Sequence, residues 1–64
     1  MDKNSFGEKI RDARISKGMT QRDLASIIGV TPESVSYYER DLKRPSFDVL
    51  KSICNALVLS IEDL

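Results

Sequence analysis

The chain has no histidine and only one cysteine, Cys54. Within these 64 residues that rules out a histidine-based catalytic triad, a Cys/His zinc site and an internal disulfide. Long apolar runs are missing too. The longest is four residues, Ala56 to Leu59, against roughly 20 for a membrane-spanning helix. The first residues, MDKNSFGEK, lack the apolar stretch of a signal peptide, so the expected location is the cytoplasm. Charge of one sign is not in excess, with ten basic and ten acidic residues and a net charge of zero. Nucleic-acid-binding domains usually show a basic surplus. The balance leaves the question to how charge is distributed over the surface. Three glycines are present, and none forms a phosphate-cradling loop. With so little room for a pocket, the chain is expected to be neither an enzyme nor a holder of a metal or cofactor.

What the chain does have is helix punctuation. A single domain over residues 1–64 is expected, and a chain of this size buries only about 60% of its unfolded surface. Ser5-Phe6-Gly7-Glu8, Thr20-Gln21-Arg22-Asp23 and Ser60-Ile61-Glu62-Asp63 fit the capping-box pattern, a hydroxyl that accepts a helical N–H with an acid following it. Thr31-Pro32 is a further start, since proline at the first helical position loses no hydrogen bond. Ser46, after Pro45, is a fifth. Gly18 and Gly29 suit the left-handed backbone that ends helices. These signals predict helices over about 5–17, 20–28, 31–39 and 46–57, with a stub from 60 onward.

Apolar spacing agrees with an all-α bundle of four to five short helices. Phe6, Ile10 and Ala13 share one face of the first helix; Leu24, Ala25 and Ile28 share one of the second. Val35 and Tyr38 do so on the third, and Phe47, Leu50, Ile53, Cys54 and Leu57 on the fourth. Only Gly29 and Val30 separate the second helix from the Thr31 cap of the third. So short a glycine-containing connection suits the sharp crossing of a helix-turn-helix, with small Ala25 allowing close approach.

The segments MTQRDLA, IGVT, YER and RPS stand in an order that resembles the helix-turn-helix domain of phage Cro and cI-type repressors and their bacterial (XRE-like) relatives. The resemblance covers nearly the whole chain, including FGEKIRDARISKG upstream, and implies a lambda-repressor-like fold with the motif at helices 2 and 3. Two positions depart from it. Family members commonly have glycine where this chain has Asp41 and Val58, and valine tolerates a left-handed backbone poorly.

In such a motif the third helix, 31–39, lies in the DNA major groove. The resemblance puts Pro32, Glu33, Ser36 and Tyr37 at positions that read bases. Chemically, Glu33 can accept from a cytosine amino group, and Pro32 and the Tyr37 ring can pack on a thymine methyl. Ser36 can bond several edges. Glu33 has a structural alternative, because a carboxylate near a helix start is favoured by the helix dipole. Phosphate contacts are expected from Gln21, Thr31, Arg40, Lys43, Arg44 and Asn4, with Lys9 and Arg11 as weaker candidates. The resemblance also implies a structural ion pair between Arg14 and Glu39.

The implied function is sequence-specific binding of double-stranded DNA by a transcriptional regulator, most simply a repressor, acting as a homodimer on a palindromic operator. Self-contact is expected at the C-terminal end, where Val58, Leu59, Ile61 and Leu64 crowd, although some of these must close the core, Leu59 and Leu64 more readily than the others. A longer protein with an additional C-terminal domain is compatible with this. The competing reading is a protein-interaction module, such as an antitoxin-type domain that docks a partner protein.

Overall fold

In the computed structural model, residues 5–59 are described. They form four helices, α1 (Phe6–Ser16), α2 (Gln21–Ile28), α3 (Pro32–Glu39) and α4 (Phe47–Leu57), and no strand occurs among the described residues. Each helix starts on a hydroxyl cap. Ser5, Thr20, Thr31 and Ser46 accept the backbone N–H of Glu8, Asp23, Ser34 and Val49 at 3.2, 3.0, 3.1 and 3.3 Å. Such caps satisfy N–H groups that have no partner within the helix, and each contributes about 1 kcal/mol. The reciprocal half of a capping box forms at Thr20, whose N–H donates to Asp23 Oδ2 at 2.9 Å. At Ser5 only the hydroxyl half is made. The stub expected from Ser60, with its capping box, lies outside the described residues, as do Ile61 and Leu64.

All four helices end alike. Gly18, Gly29, Asp41 and Val58 each take a left-handed backbone, with φ of 70, 77, 60 and 56°. In each case the next residue's N–H reaches back five positions: Met19 to Arg14, Val30 to Ala25, Leu42 to Tyr37 and Leu59 to Cys54, at 2.8–3.1 Å. This closure satisfies carbonyls left over at the helix end. Glycine adopts it freely, whereas Asp41 and Val58 do so against steric resistance.

One side chain from each helix, Ile10, Leu24, Val35 and Ile53, is wholly shielded from water at the centre. Ala25, Ile28, Tyr38 and Leu57 complete the buried core, with Val30, Val49 and Leu59 packed at its margin. Phe47 is the exception to the expected faces. It is 63% exposed, with the Lys51 ammonium 5.7 Å from its ring centre. It is the first residue of α4, and although it lies two turns before buried Cys54 on the same side of the helix, the residues of α4 that enter the core, Ile53, Cys54 and Leu57, are all in its last turns. Leu50 is half-buried.

A backbone contact fixes α1 against α3. Gly7, in the first turn of α1, is buried where a Cβ would collide with the carbonyl oxygens of Tyr38 and Glu39. Beside it, the Gly7 N–H donates to Asp41 Oδ1 at 2.8 Å. Asp41 thus places a carboxylate at the N-terminus of α1, where the helix dipole favours it. Only a residue without a side chain fits at position 7.

Candidate nucleic-acid interface

The short α2–α3 connection leaves one side of α3 against the core and turns the other to solvent. On the inner side, Val35 and Tyr38 are buried. Glu39, 5% exposed, is the one buried charged residue among those described. Arg14 Nε donates to Glu39 Oε2 at 2.6 Å, and Arg14 Nη2 to Oε1 at 3.2 Å. Arg14 Nη1 donates to the Met19 carbonyl at 2.7 Å, and Gln21 Nε2 donates to Glu39 Oε1 at 3.1 Å. An ionised carboxylate only accepts and a guanidinium only donates, so these bonds are mutually consistent. They tie α1, the α1–α2 turn, α2 and α3 together. Burial of such a pair is tolerable because each partner meets several bonds.

On the outer side, Glu33 is exposed, Tyr37 is 42% exposed, and Pro32 and Ser36 are half-buried. Residues 33, 36, 37 and 40 follow the i, i+3, i+4, i+7 spacing that places side chains on one helix face. Thr31 is already engaged: its Oγ1 accepts the Ser34 N–H and donates to Ser34 Oγ, both at 3.1 Å. Arg40, Lys43 and Arg44 are all exposed in the loop after α3. The Arg40 guanidinium lies 5.5 Å from the Tyr37 ring centre and that of Arg44 lies 4.5 Å from the Phe6 ring centre. Lys9 is half-buried and Arg11 exposed on α1. Asn4 lies outside the described residues.

Glu33, Ser36, Tyr37 and Arg40 thus share one face of α3, Lys43 and Arg44 follow in the exposed loop with Arg44 over Phe6, and Gln21 joins the Glu39 network. That bond uses one amide hydrogen and leaves the other available. Two further participants escape sequence reasoning: Asp41, through its bond to Gly7, and Met19, through its carbonyl. Among the described residues no group of acidic or cysteine side chains could hold a metal, and no helix is long and apolar enough to cross a membrane.

Two helices joined by a left-handed glycine, the second one held from behind and displayed in front, define a helix-turn-helix module. Residues 10–64 match the family described as helix-turn-helix, and the chain belongs to it. It is 38% identical over 55 residues to the transcriptional regulator ClgR of Mycobacterium tuberculosis, covering 86% of this chain and 49% of that protein. Among solved structures, the P22 c2 repressor in complex with a synthetic operator superposes with a TM-score of 0.84 at 31% identity, covering 86% of this chain and 83% of that one. The clp gene regulator ClgR from Corynebacterium glutamicum gives a TM-score of 0.86 at 38% identity, covering 95% and 65%. The chain spans about half the length of the regulators it matches in sequence.

Proposed function

We propose that this chain is the sequence-specific DNA-binding part of a transcriptional regulator, most simply a repressor, working in the cytoplasm on double-stranded DNA. The observation that carries the reading is the outer face of α3. Glu33, Ser36 and Tyr37 stand exposed or half-exposed with Arg40 on one face, and the exposed Lys43 and Arg44 follow in the next loop, on a helix whose inner side is fully engaged. The likeness to a repressor that binds an operator supports the same reading.

In this reading α3 enters the major groove, and Pro32, Glu33, Ser36 and Tyr37 meet base edges. Gln21, Thr31, Lys43, Arg44 and Asn4 contact phosphates, with Arg40 beside them. The net charge of zero is no obstacle, because binding depends on where charges lie, and Arg40, Lys43 and Arg44 form an exposed basic cluster directly after α3 in the chain. One motif reads one half-site, so a two-fold homodimer on a palindrome is the simplest assembly, with exposed Val58 and the C-terminal end as the self-contact, Leu59 being packed against the core. The test is selection of sites from a random duplex pool, followed by affinity across a salt series. A palindromic consensus with a steep fall in affinity as salt rises is expected from phosphate neutralisation. No enrichment, with weak salt-insensitive binding, would instead favour the protein-docking reading.

A further inference from the structure

Arg40 was grouped with the phosphate contacts because it belongs to a basic cluster, yet its position sets it apart from Lys43 and Arg44. It caps the C-terminus of α3, and a side chain there projects back toward the helix start. Its guanidinium consequently lies over the ring of Tyr37, three residues earlier, at 5.5 Å from the ring centre. Among the described residues no carboxylate is within ion-pairing distance of Arg40. Besides the negative end of the helix dipole, the Tyr37 ring is what α3 offers this guanidinium. Arg44 shows the other use of this chemistry: its guanidinium covers Phe6, at the start of α1, and no residue of α3.

We infer that Arg40 is a specificity residue acting with Tyr37 as one reading unit, rather than a phosphate contact alone. This rests on the DNA-binding reading above. A guanidinium held over a ring face is attracted as a cation, so the contact does not consume its fork of N–H donors. The contact therefore restricts the ring and the guanidinium together and leaves donors open to a base edge beside the one Tyr37 meets. A contact of this kind biases the ring toward one orientation by about two- to fivefold at an exposed site. The gain falls on sequences that fit that orientation, so it enters discrimination rather than general affinity.

The experiment compares the 64-residue chain with its R40K, R40A, Y37L and Y37L/R40K variants on the selected operator and on operators changed base by base, across salt. Lysine keeps the charge and loses the planar fork. R40K is expected to keep the salt slope while discrimination at one or two base positions falls about two- to fivefold. R40A should show the same fall, and R40K should add little on the Y37L background. A uniform loss on all sequences, with discrimination intact and the slope of R40A reduced by about 0.9, would identify a phosphate contact and overturn the inference. NMR of the free chain supplies a separate check. The Arg40 δ-methylene protons should be shifted upfield by the Tyr37 ring, and the shift should vanish in Y37L. Its absence from the wild-type chain would overturn the stacked unit. If the wild-type chain selects no sequence while that shift is present, the DNA-binding reading itself has failed, and the inference with it.

Discussion

The two sides of α3 handle polar chemistry in opposite ways. On the inner side, Glu39 accepts three hydrogen bonds from Arg14 and Gln21, and Arg14 gives another to the Met19 carbonyl. On the outer side, Glu33 is exposed without a hydrogen bond among the described residues, and Tyr37 and Arg40 have mainly each other. A saturated inner side resists displacement, because moving the helix breaks several bonds in a water-poor setting at once. An unsaturated outer side keeps its donors and acceptors for another molecule. The same eight-residue helix is therefore anchored by one set of residues and expressive through another.

The largest effect should come from breaking the inner side. Glu39→Ala leaves the Arg14 guanidinium half-stranded, and a loss of about 3 kcal/mol in unfolding free energy is expected, the low end for a buried pair because Arg14 is partly exposed. Tyr37→Ala on the outer side should change stability by less than about 0.5 kcal/mol. Urea denaturation of both variants measures the contrast, and equal losses would mean that the two sides share the load.

The next test concerns the two left-handed residues that are not glycine. Val58 gains nothing visible in return for its backbone, so Val58→Gly should raise stability by about 1 kcal/mol. Asp41→Gly should gain less or lose, because it removes the carboxylate that holds the Gly7 N–H. Thermal unfolding of the pair orders them. A larger gain at position 41 would mean that the Asp41–Gly7 bond contributes little.

The smallest effect is at Asp23. Hydrogen bonds from the Thr20 backbone and then its side chain hold this carboxyl below its ordinary pKa of 3.8. A lowered folded value means that the stabilisation is complete above about pH 3.8 and is lost as pH falls through the lower folded value. The difference in melting temperature between wild type and Asp23→Asn should therefore be present near neutrality and disappear in strong acid. A difference that persists there would assign the cap to something other than the ionised carboxylate.

The parts of this arrangement legible in the sequence are those set by neighbours along the chain. Cap hydroxyls, Pro32 and the two glycines act within one helical turn, so the four helix starts could be read directly. The separation of buried Tyr38 from exposed Tyr37 follows from helical period alone. Contacts across the fold were harder. The pairing of Arg14 with Glu39 spans 25 residues and was available only through family resemblance. The Gln21 bond to Glu39 depends on a rotamer that no periodicity reports. Phe47 shares the side of α4 that carries Cys54, so its exposure follows from its place at the helix start, away from the core-bearing last turns, which spacing alone does not report. Gly7 did leave a signal. A glycine inside a helix's first turn costs about 0.5–1 kcal/mol relative to alanine, and such a cost at a helix start points to a close approach.

That close approach has a consequence for how this surface can vary. The start of α1 rests on main-chain oxygens of α3, atoms that every sequence possesses. The pose of α3 is thus set by peptide groups and by residues facing inward, and by none of the four on the outer stripe. Under the proposed DNA-reading role, Glu33, Ser36, Tyr37 and Arg40 form a cassette whose rewriting gives new preferences on an unchanged frame, so long as position 7 stays glycine.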